Sequence, residues 1–130
     1  MEIVDYYLER ARAGDVENAF HRLRALPHDA LPAMQSAFAN EADPEIRELI
    51  LQAIGQHRQP STIPFFAGAL RDTDPRVWKE ALDGLVTLAS SEALLSLKSA
   101  RDREPDPEIR AWIEEAIEQT KEALARRAGP

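Results

Sequence analysis

A chain of 130 residues that is 44% apolar can bury one core, either as a single compact domain or as a short repeat array. It has no cysteine, which excludes a disulfide framework and any cysteine–zinc site. Its net charge of −7, with Lys and Arg scattered among acids, argues against nucleic acid, whose binding calls for a basic face.

In chain order, residues 2–12 are predicted as an amphipathic helix with Ile3, Val4, Tyr7, Leu8 and Ala11 inward. The segment has neither a basic n-region nor an apolar h-region, so it is not read as a signal peptide. No apolar run reaches the roughly 18 residues of a membrane span. These features predict a cytoplasmic protein. A second helix is expected over 14–26, capped by Asp15, with Val16, Phe20, Leu23 and Leu26 as its buried stripe. A third follows over 29–38, with Asp29 as its start signal.

At 43–47 the chain reads DPEIR, and the same word returns letter for letter at 106–110, with DPRVW at 74–78 between them. Asp43 and Asp74 are 31 residues apart, and Asp74 and Asp106 are 32 apart. A period of this size marks a solenoid, in which each unit buries its apolar face only against its neighbours. The word itself starts a helix. Asp is a preferred N-cap, Pro suits the first helical position, and Glu45 and Glu108 sit near the positive end of the helix dipole. Apolar or small residues then recur at Ile46, Ile50, Ala53 and Ile54, at Val77, Ala81, Gly84 and Leu85, and at Ile109, Ile113, Ala116 and Ile117. That spacing traces one face of a helix. Gly55 is placed as a left-handed C-cap.

The segments 29–38 and 61–70 match position by position, and 91–100 matches more loosely, so each unit is expected to carry a second helix. Ser61 and Ser90 or Ser91 are the corresponding start signals. Residues 1–13 then form an N-terminal cap, 14–42, 43–73 and 74–105 three repeats, and 106–127 a closing helix with a polar outer face.

Leu70, Asp72, Asp74, Pro75 and Val77, then Asp43, Pro44, Ile46, Arg47 and Gly55, then Asp106, Pro107, Ile109 and Arg110 resemble the short HEAT-like repeats named after phycobilisome lyases. The resemblance implies an all-α, right-handed superhelix of about eight helices. It also implies a polar ladder between units through Asp43, Asp74, Asp106, Arg47 and Arg110, interrupted where Trp78 replaces the Arg.

Catalytic chemistry is sparse. His21, His28 and His57 have no metal-ligand spacing and are read as surface residues. Glycines are spread singly, and no cofactor is expected. The resemblance brings two activities with it, a phycobilin lyase and a DNA glycosylase. The second would recruit Trp78, Trp112 and Asp83, but the acidic charge opposes it.

The reading favoured is non-enzymatic protein binding, as an adaptor, scaffold or inhibitory partner. In HEAT-type arrays the second helices line the concave face, and Phe65 is expected there, half outward. Ala33 and Leu95 continue an apolar strip, rimmed by Gln35, Arg71, Lys98 and Arg101. Trp78 is a further contact candidate, whereas Trp112 is assigned to the core. A distinct reading is an immunity-type inhibitor, since a small acidic protein suits a basic toxin or nuclease.

Overall fold

The computed structural model describes residues 2–129; Met1 and Pro130, the outer limits of the expected domain, lie outside them. Each occurrence of the repeated word opens a helix in the same way. Asp43, Asp74 and Asp106 accept hydrogen bonds from the amides of Glu45, Arg76 and Glu108, each at 2.9 Å, with Pro in the first turn. These helices are α4 (Pro44–Gln56), α6 (Pro75–Leu88) and α8 (Pro107–Ala128). The others are α1 (Ile3–Arg12), α2 (Val16–Ala25), α3 (Leu31–Asn40), α5 (Ile63–Ala69) and α7 (Ser91–Arg103).

The remaining start signals behave less uniformly. Ser90 caps α7 by accepting from the Ala93 amide at 3.0 Å. Asp15 instead bonds Arg10 and Asn18, both at 3.2 Å. Asp29 and Ser61 cap nothing, because 3-10 turns (His28–Ala30 and Pro60–Thr62) lead the chain into α3 and α5. Gly55 is not a left-handed C-cap either; α4 runs on to Gln56, and the left-handed residue is Arg58 (φ 52°).

The predicted stripes are the core. Ile46, Ile50, Ala53 and Ile54 are buried, as are Val77, Ala81, Gly84 and Leu85, and Ile113, Ala116 and Ile117. Phe66, Met34, Leu23 and Leu97 come from the other helices to meet them. The packing places the unit one helix out of phase with the word. The tight hairpins are α1–α2, α3–α4, α5–α6 and α7–α8, so each DP helix is the second of its pair rather than the first. Neither α1 nor α8 is therefore a lone cap. Arg127 ties the far end of α8 back to the carbonyl of Ala89 at 2.8 Å.

Two layers of four helices result. Neighbours within α2, α4, α6 and α8 approach closely, above all α4 and α6, where a Cβ on Gly55 would lie 3.8 Å from the Gly84 Cα. Helices α3 and α5 of the other layer barely touch, and a groove opens between them. The converging layer of a curved stack is its inner side. The layer that carries Phe65 is therefore the outer one, and the expectation that it forms the concave face is corrected.

Four exposure expectations are reversed. Trp78 is buried at 6% exposure and Trp112 is 45% exposed. Trp78 takes the place of Arg47 in the repeat, a position that faces the adjoining unit; there it meets Trp112 edge-on, ring centres 6.0 Å apart. Trp112 takes the place of Leu49, which is buried; among the described residues no helix packs over Trp112. Ile3 is likewise exposed, on a side of α1 that no other helix among the described residues covers. His57, expected at the surface, is 5% exposed because its ring turns inward to the Leu23 carbonyl at 3.1 Å.

Candidate interaction groove

Helix α5 begins Ile63-Pro64-Phe65-Phe66, and its start decides where the aromatics go. Ile63 and Phe66 share the inward face, so Phe65 is turned toward α3, where it is half-buried. Its ring meets Phe38 edge-on at 5.3 Å between centres and Phe66 at 5.7 Å. Both are favourable T-shaped arrangements. Pro64, Gly68 and Ala69 complete an apolar floor, and Arg71 and Asp72 form the polar edge.

Beneath this edge the Arg47 guanidinium does two things. Its plane lies 4.3 Å over the Phe38 ring, and it donates to Asp72 at 2.9 Å. Burial alone would raise the Asp72 carboxyl. The Asp74 amide and Arg47 outweigh it and hold the group below its usual range. That contribution is present above the ordinary carboxylate range and is lost as pH falls through the lowered value.

The inter-unit ladder is present with different partners. The acid two residues before each DP Asp, namely Glu41, Asp72 and Glu104, accepts the amide of Asp43, Asp74 and Asp106 at 3.1, 2.9 and 3.3 Å. Arg12 pairs with Glu41 and Arg47 with Asp72. Trp78 offers the third acid nothing, and Arg110 from the same turn reaches the Glu104 carbonyl instead, at 2.6 Å. Asp43, Asp74 and Asp106 are thus helix caps rather than partners of Arg47 and Arg110. The signal was legible as EADP, DTDP and EPDP.

The three residues of the predicted strip do not line one groove. Ala33 borders a separate hollow between α1 and α3, and Leu95 stands 66% exposed on α7. Of the expected rim only Arg71 joins Phe65. Gln35, Lys98 and Arg101 are half-buried, and Arg101 is taken by Asp102 at 3.1 Å.

The inner layer has a different character. Lys79 lies 4.4 Å over the exposed Trp112 ring. Glu80 accepts from Gln52 at 3.1 Å, yet burial, with Asp83 and Glu48 nearby, pushes its carboxyl up; burial also raises Asp83. A carboxyl raised in the fold favours folding more as pH falls, so its charge works against folding at neutral pH. Glu80→Gln, which keeps a partner for Gln52, is expected to raise the urea midpoint at pH 7. The gain should shrink toward pH 4, which a series of unfolding curves would read. Among the described residues no three His, Asp or Glu side chains converge to hold a metal ion, and no helix is long and apolar enough to cross a membrane.

Helical hairpins stacked in two layers and joined by an acid–arginine ladder define an α-solenoid. The family model for HEAT repeats matches residues 31–118, from the start of α3 into α8, and the chain belongs to this family. It is also 31% identical over 83 residues to a deoxyhypusine hydroxylase of Aspergillus fumigatus. That match covers 61% of this chain and 25% of the hydroxylase, so the chain spans about a quarter of that relative's length. No solved structure matches.

Proposed function

We propose that this HEAT-repeat protein is a non-enzymatic, cytoplasmic protein-binding module, an adaptor or scaffold, and that its partner docks in the groove between α3 and α5. One observation carries the reading. Phe65 and Phe38 form an aromatic wall over an open apolar floor, with the Arg71 and Asp72 charges at its edge. Aromatic anchors with a charged rim are what interaction hot spots use. Leu95, Ala33, Gln35, Lys98 and Arg101 lie outside this groove and would serve as outlying contacts of a larger partner. Trp78, being buried, has no part in it. The repeat word is of the phycobilisome-lyase type in this reading, as a structural unit rather than as an activity. The hydroxylase relative is matched over a quarter of its length, and a corresponding activity would stand on that alone.

Trp112 favours a second reading. It is exposed on the inner layer, already holds one cation, and lies on the layer that carries Glu48, Glu80 and Asp83. An inhibitor of a basic toxin or nuclease would use that side.

Affinity capture on immobilised wild-type protein, Phe65→Asp and Trp112→Ala, at low and moderate salt, separates the two. The groove reading expects a near-stoichiometric partner on wild type and Trp112→Ala that is lost on Phe65→Asp. A partner lost on Trp112→Ala and released by salt transfers the function to the inner face. No partner on wild type at either salt overturns both.

A further inference from the structure

Two histidines at the two ends of the α3–α4 hairpin meet head to head. His57 ends α4, and His28 lies in the turn before α3. Their Nδ1 atoms are 2.9 Å apart, with ring centres 5.2 Å apart and planes at 68°. At that centre separation both nitrogens point nearly along the line joining them, as a hydrogen bond requires, whereas lone pairs converging on one metal ion would meet off that line.

The surroundings assign every hydrogen. The Leu23 carbonyl, 3.1 Å from His57 Nε2, only accepts, so Nε2 carries the hydrogen. Neutral His57 then presents a bare Nδ1, and the hydrogen on the short axis belongs to His28 Nδ1. His28 Nε2 is in turn bare and accepts from Gln59 Nε2 at 3.3 Å; the same amide group donates to the His57 carbonyl at 3.2 Å. A directed chain runs from Gln59 through His28 and His57 to Leu23. It ties the loop before α5 to the turn before α3 and to α2.

We propose that the His28–His57 pair is a proton-operated latch between α2 and α4 and the loops that follow them. One added proton is accommodated: on His28 Nε2 it meets Gln59, whose amide turns its oxygen inward to accept. A second has no place, since two imidazolium rings would aim N–H groups at each other along a 2.9 Å axis, one of them in a buried ring. The latch is therefore closed with no or one added proton and open with two.

Little else acts on the pair. From α2, Arg22 and Arg24 flank Leu23 and are exposed; Asp29 follows His28, and Arg58, left-handed at φ 52°, follows His57. Helices α3 and α5 and the Pro60–Thr62 turn carry no ionisable side chain, and none of the described residues forms an ion pair with either ring. Opening would free the N-terminal ends of α3 and α5, the two walls of the Phe65 groove. That consequence rests on the proposed binding site; the latch does not.

The open state binds one proton more than the closed one. Opening therefore becomes easier as pH falls, by up to about tenfold per pH unit. Amide hydrogen exchange at pH 7.5, 6.5 and 5.5, corrected for intrinsic rates, reads this at Ala30, His57 and Thr62, whose amides are bonded to Pro27, Ile54 and Gln59. His28→Asn is the control, because its side-chain amide can still donate to His57 Nδ1 and cannot be protonated. Protection at these three amides should fall with pH in wild type, stay level in His28→Asn, and stay level in α8 of both. Protection independent of pH in wild type, or falling equally in His28→Asn, overturns the latch. Imidazole nitrogen shifts of the wild type at pH 7.5 give a test that needs no variant: hydrogen on His57 Nε2 and His28 Nδ1 is expected, and any other pairing overturns the network.

Discussion

Phe66→Ala is expected to lower the unfolding free energy by about 3–5 kcal/mol, the range for removing a fully buried phenylalanine. The ring has no exposed surface and lies where α5 of one hairpin meets α4 and α6. A domain of this size holds only about 5–15 kcal/mol in all. The variant should therefore retain a small part of the wild-type stability, or unfold at 37 °C. Arrays of this kind are stabilised by the sum of neighbour interfaces, and α5 has only seven residues to offer. The truncation removes most of what α5 contributes to holding α4 and α6 together. Urea unfolding followed by circular dichroism would read the loss, and a change below about 1 kcal/mol would mean that α5 does not carry the central interface.

The second prediction sets two glycines against each other. Gly84→Ala is expected to destabilise the fold by about 1–3 kcal/mol, as overpacking does. A Cβ there would lie 2.6 Å from two Phe66 ring carbons, and that ring is enclosed. Gly55→Ala should be neutral or stabilising by up to about 1 kcal/mol, the helix-propensity gain, since its Cβ meets ordinary contacts at 3.8 Å. Both lie in DP helices on the inner layer, so propensity alone predicts the same gain for each. Combining Gly84→Ala with Phe66→Leu should recover part of the loss, because the smaller side chain vacates the contact. Equal effects at the two glycines in thermal unfolding would refute the close packing of α5 under α6.

The candidate groove was half legible. Phe65 is singled out by the helical spacing of Ile63 and Phe66, and it does flank an open groove. That the groove lies on the outer layer is not written locally, because it follows from which helix layer packs closer. The DP word shows where a helix starts but leaves open whether that helix is first or second in its hairpin. The histidine pair gave no signal in spacing: His28 and His57 are 29 residues apart and meet only because α3 and α4 pack as a hairpin.

From the sequence alone came the helix starts, the apolar stripes and the repeat period. Capping, proline geometry and helical spacing act over a few residues and are fixed by local chemistry. Tertiary structure decided which tryptophan is covered, which acid each arginine reaches, and which layer curves inward. Those depend on the neighbour that a position meets. Trp78 and Trp112 show why: identical side chains on equivalent helices differ in exposure because Trp78 is covered by its neighbours and, among the described residues, no helix covers Trp112.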